Sequence, residues 1–151
     1  MPRKYERPPF LRSRVTQEMY ERWLRRKAQA HVKRDRQRGN KTAGGEAYRG
    51  EIHRAVLESG GLDAYTGEKL DWKRISRWDN DLSQKNKHLY KHEFALLPTV
   101  DHVGDGIGPV QFQICGWRTN DAKNDLALRD FLRLCQAVLE HHGYGVAKGG
   151  R

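Results

Sequence analysis

Apolar positions recur at helical spacing in three stretches of the chain and at strand spacing in one. Tyr20, Leu24, Ala28 and His31 fall on one face by i, i+4 and i+7 spacing, which predicts a helix from a Thr16 N-cap to about Arg38. Glu18 and Glu21 in its first turns suit the helix dipole. Gly39 closes this helix, and residues 40–45 form a turn-rich linker ending in Gly44-Gly45. Tyr48, Ile52, Ala55, Val56 and Ser59 make the stripe of a second helix, 46–59, stopped by Gly60-Gly61. Leu128, Phe131, Leu132, Cys135, Val138 and Leu139 mark a third, 126–142. Its stripe is expected to close the core, and His141-His142 to interact with its C-terminus. Between these, an apolar run from Leu96 ends in Asp101-His102. Gly104, Gly106, Gly108 and Pro109 turn the chain, and Phe112 and Ile114 then alternate with Gln111 and Gln113 as a strand does. Residues 96–126 thus read strand, loop, strand, helix, and the fold class is α+β.

The remaining segments carry weaker patterns. Residues 1–15, with Pro2, Pro8 and Pro9, read as an extended, poorly ordered arm whose Arg3, Lys4 and Arg7 could lie along a phosphate backbone. Residues 62–72 read as a short hairpin around Thr66-Gly67, held by Tyr65, Leu70 and Trp72. Residues 73–95 mix Lys73, Arg74, Arg77, Lys85, Lys87 and Lys91 with Trp78, Tyr90 and Phe94. That mixture fits a grip on a nucleic-acid strand or a surface loop with core anchors. His88 and His92, four apart, could chelate a metal if they lie on a helix. His31 on an apolar face and His53 beside one read as packing residues.

Composition narrows the class. Hydrophobic residues are 36% and charged residues 32% of 151, with no apolar run approaching the ~20 residues of a membrane span. The N-terminus has no apolar h-region, so a cytoplasmic protein without a membrane partner is expected. The net charge of +10 is unevenly spread: residues 1–41 hold 14 Lys/Arg against 4 Asp/Glu, and residues 42–151 hold 15 of each. This divides the chain into a basic arm and helix, 1–41, and a neutral body, 42–151, and it suits a polyanionic partner. Arg25, Arg26, Lys33, Arg34 and Arg36 are the candidate phosphate contacts of the basic helix. The two cysteines, Cys115 and Cys135, form no Cys-x-x-Cys and read as reduced, buried thiols.

The chemistry concentrates between 101 and 124. Asp101 and Asn120 offer oxygen ligands to a hard cation. A neutral His102 can take a proton from water, and Lys123 can stabilise charge developing on phosphate. Arg118 is a further phosphate contact and Asn124 a supporting residue. Together they suit metal-assisted phosphodiester hydrolysis. Asp101-His102 followed by Asn120-x-x-Lys123 resembles the HNH endonuclease family, over roughly residues 60 to 142. The resemblance implies a ββα-metal core with added N-terminal helices. It makes His102 the general base, and Asp101 and Asn120 the ligands of one Mg²⁺ or Mn²⁺. It implies DNA as substrate, RNA not being excluded, with 5′-phosphate and 3′-hydroxyl products. The family's middle Asn has no counterpart here, Gln111 being the nearest amide. The zinc cysteine pairs of many members would fall near Asp63 and Thr66 and near Gly116 and Thr119; none is Cys, so no structural zinc is expected.

Two rival readings follow from the same features. A non-catalytic nucleic-acid-binding module would bind in a salt-sensitive way without cutting. A partner-dependent component of a phage or repair complex would dock its basic helix on an acidic protein. Palindromic cutting would bring in a second copy, so a homodimer also remains open.

Overall fold

The first helix starts as its sequence dictates. Thr16 Oγ1 accepts the Met19 N–H at 3.2 Å and opens α1 (Gln17–Gln37). In the computed structural model, which describes residues 3–75, 92–104 and 109–149, α1 buries Tyr20, Trp23, Leu24, Ala28, His31, Val32 and Asp35. The second helix, α2 (Gly45–Ser59), ends at Gly60, whose φ of 60° is the left-handed conformation that glycine adopts without penalty. It buries Tyr48, Ile52, Ala55 and Val56.

Strands β1 (Pro98–Val103) and β2 (Gln111–Gly116) pair antiparallel, in register from Pro98 opposite Gly116 to Val103 opposite Gln111. Helices α1 and α2 pack on each other, α2 lies on β2, and α1 touches β1. One core results, joining Trp23, Leu24, Ile52, Val56, Val100, Phe112 and Ile114 with Leu11, Val15, Trp72 and Ile75. The basic helix is therefore also a core helix. Two short helices follow β2 directly: α3 (Trp117–Lys123) and α4 (Leu128–His141). The described chain combines helices with an antiparallel strand pair, an α+β fold, and among the described residues no helix is long and apolar enough to cross a membrane.

Three expectations need correction. The N-terminal segment is not a loose arm: Pro9–Leu11 form a 3-10 turn that buries Leu11 completely. Arg7 donates from its backbone to Gln17 and from its guanidinium to the Val15 carbonyl, and Lys4 pairs with Glu46. Helix α4 does not close the core: none of its residues is buried, and Leu132 and Val138 are 58% and 52% exposed. Its periodicity marks an amphipathic helix, and periodicity alone does not say what covers the apolar side. Cys135 is accordingly exposed, whereas Cys115 is buried as expected. Arg77, Trp78, Lys85, Lys87, His88, Tyr90 and Lys91, and the loop glycines Gly106 and Gly108, lie outside the described residues.

Candidate active site

A cavity of about 340 Å³ opens where the end of α1 meets β1 and α3. Strand β1 contributes Asp101 and His102, α3 and the turn after it contribute Asn120, Asp121, Asn124 and Asp125, and α1 contributes Arg34 and Arg38. The turn is made by Asn124, whose φ is 52° with ψ −130°, outside the left-handed helical region, and whose N–H returns to the Asn120 carbonyl at 2.7 Å. Asp101, His102, Asn120 and Asn124, singled out in sequence, thus meet on one surface.

Asp101 is 4% exposed and tightly held. Its Oδ2 accepts the Tyr65 hydroxyl and lies 3.0 Å from Lys123 Nζ. Lys123 is itself buried, sits 5.4 Å from the Tyr65 ring centroid, and does not line the cavity. Its ammonium faces Asp101, so the structure gives it the work of fixing that carboxylate in place of the phosphate contact expected of it. Burial, then the bond to Asp101, raises the Tyr65 hydroxyl above its ordinary pKa, so it stays a donor.

Adjacent on the strand, His102 also lines the cavity but bonds a different carboxylate. Its Nε2 lies 2.9 Å from Asp35 Oδ2, and that oxygen also accepts the Tyr48 hydroxyl at 2.5 Å. The ring packs edge-on against Phe112, its cross-strand partner, at 5.3 Å between centroids, with His31 at 6.0 Å. His31 bonds the Val100 carbonyl at 3.2 Å, and burial lowers its pKa to about 4, so it is a neutral packing residue. His53 likewise serves packing, receiving Tyr20 Oη at 2.7 Å.

The cationic candidates separate. Arg34 reaches the cavity, joined by Arg38, which the sequence reading missed. Arg36 donates twice to the Ala43 carbonyl and Arg26 to the Ile75 carbonyl, so both anchor backbone. Arg118 pairs with Glu68. Lys33 lies in a separate groove and Arg25 is exposed. Lys27 donates to Thr99 Oγ1 at 3.2 Å, and burial followed by Arg26 and Arg34 lowers its pKa to about 8. Gln111 pairs with Val103 in the sheet and lines a different groove, not the cavity.

A second cluster, at the positions where the resemblance would place zinc cysteines, supports the first. Asp63, 2% exposed, accepts four hydrogen bonds. Oδ1 takes the Tyr65 and Thr66 N–H groups at 2.7 and 3.0 Å, and Oδ2 takes Gly116 N–H and Thr119 Oγ1, both at 2.8 Å. This carboxylate ties the 62–72 turn to the end of β2 and the start of α3. Gly116 fits only without a side chain, since a Cβ would stand 2.8 Å from the Ala95 carbonyl oxygen.

Whether this site suits a metal is a question of donors. Asp101, Asn120 and Asn124 present carboxylate and amide oxygens, the set a hard cation prefers. With Oδ2 engaged by Tyr65 and Lys123, Oδ1 is the Asp101 oxygen for a cation. Among the described residues no group of three or more His, Cys, Asp and Glu could hold a metal ion. A cation held by Asp101 here would take its other ligands from amide oxygens and water, with Asp121 and Asp125 also lining the cavity, which fits a hydrated divalent ion. No family model, curated protein or solved structure matches the chain.

Proposed function

We propose that the chain is a divalent-metal-dependent endonuclease of the HNH type, in which β1, β2 and α3 form a ββα-metal core and Mg²⁺ or Mn²⁺ is the cofactor. The observation that carries this reading is the shared cavity. Three carboxylates (Asp101, Asp121 and Asp125), an imidazole, two amides and two guanidiniums line one space large enough for a phosphodiester and its attacking water. In that order, Asp101 and Asn120 hold the cation, His102 accepts a proton, and Arg34 and Arg38 hold phosphate oxygens. The four positions where related nucleases would carry zinc cysteines also meet, around the Asp63 carboxylate.

The chemistry on these side chains balances simply. A water O–H bond breaks and its proton goes to His102 Nδ1, the nitrogen not engaged by Asp35. The water oxygen forms a bond to phosphorus, and the bond from phosphorus to the 3′-oxygen breaks. That oxygen takes a proton from solvent, leaving 5′-phosphate and 3′-hydroxyl ends. A bound cation would supply charge neutralisation at the scissile phosphate. Lys123 and Tyr65 fix the Asp101 carboxylate, and the Arg pair orients the phosphate, so little reorganisation is needed during reaction.

The test is plasmid cleavage by the purified protein in Mg²⁺, Mn²⁺ or EDTA, with the ends mapped. Metal-dependent cutting to 5′-phosphate ends is expected. Salt-sensitive binding without cutting in any metal would replace this reading with the binding-module one.

A further inference from the structure

Building on the nuclease reading, we infer that Asp35 of α1 is a positioning residue that locks His102 in the tautomer with Nε2 protonated and Nδ1 bare. A carboxylate only accepts, so the 2.9 Å contact between Asp35 Oδ2 and His102 Nε2 requires the ring to donate from Nε2. Nδ1 is then the lone-pair nitrogen that can take a proton. The Tyr48 hydroxyl, donating to the same Oδ2 at 2.5 Å, fixes the carboxylate, and Phe112 fixes the ring.

Asp35 is costly where it stands. It is fully buried, and among the described residues its Oδ1 has no hydrogen-bond partner. It also lies in the last turn of α1, where the helix dipole disfavours an anion. A residue serving packing alone would be apolar at this position. Arg34, its neighbour in sequence, reaches the cavity. One turn of the basic helix thereby supplies both a phosphate contact and the support of the base.

The test uses Asp35→Asn in the full chain, with two readouts. Nitrogen-15 NMR of the imidazoles in metal-free protein reports the tautomer, and plasmid cleavage gives kcat and KM. Wild type should show His102 protonated at Nε2 alone, and Asp35→Asn, whose amide can also donate, should mix or invert the tautomers. In a Ser-His-Asp enzyme the equivalent change lowers kcat about 10⁴-fold through the wrong tautomer. A fall of about 10²-fold or more is expected here, with KM changed less than about threefold. An Nδ1-protonated wild type, an unchanged tautomer in the variant, or a folded Asp35→Asn with unchanged kcat overturns the inference. If Asp35→Asn does not fold, Asp35→Leu, which removes the acceptor and suits a buried position, takes its place under the same criteria. If wild type never cuts, the nuclease reading falls, and the NMR comparison alone decides whether Asp35 sets the tautomer.

Discussion

Two aspartates that no motif singles out do much of the work around this site. Asp63 gathers four donors from three segments, so Asp63→Ala should strand several buried polar groups and cost about 3 kcal/mol or more. Urea unfolding measures this, and a loss below about 1 kcal/mol would show that the cluster is incidental. His31 offers a pH test. Its folded pKa, about 4, lies below the ordinary value of 6.5. Between those values the unfolded chain binds a proton that the folded one refuses, so stability falls as pH drops from 6.5 toward 4. The slope is about 1.4 kcal/mol per pH unit from this residue. Wild type should lose more stability than His31→Gln between pH 7 and pH 5; equal losses would mean that His31 charges freely in the fold. Asp101, His102, Asn120 and Asn124 were legible because the motif spans one strand pair and one helix, so local order alone brings them together. Asp35 and Tyr48 were not, because they reach His102 through the packing of two other helices. The one signal was Asp35 as the sole acid in the otherwise basic 22–41 stretch.

Among the elements, α1 and α4 show opposite limits of pattern reading. Both display clear apolar stripes, yet α1 is a pillar of the core and α4 buries nothing. Helical periodicity reports amphipathicity, and the partner face is set by tertiary geometry that the stripe does not encode. The boundaries of α1 and α2 were readable because they rest on local chemistry: the Thr16 cap and the left-handed Gly60. Leu132→Glu on α4 is therefore expected to change stability by less than about 0.5 kcal/mol. A core leucine would cost about 2–5 kcal/mol on truncation, and a loss of that size in urea unfolding would place α4 inside a packed interface.

For the whole molecule, seven of the 14 Lys/Arg of residues 1–41 lie on α1, which also carries part of the hydrophobic core, so deleting the segment would unfold the body instead of isolating the proposed phosphate contacts. Substitution is the cleaner experiment. Arg34→Ala and Arg38→Ala should each weaken DNA binding and reduce the slope of log K against log salt by about 1. The account's central claim is that His102 serves the water while Asp101 and Asn120 serve the metal. It is tested most directly by a cleavage titration in Mn²⁺ of His102→Ala, Asp101→Ala and Asn120→Ala, with folding checked by circular dichroism. His102→Ala should lose about 10²–10⁴-fold in rate at every metal concentration, with DNA and metal binding retained. The other two should recover in part as Mn²⁺ rises. Near wild-type cleavage by a folded His102→Ala protein would contradict the account.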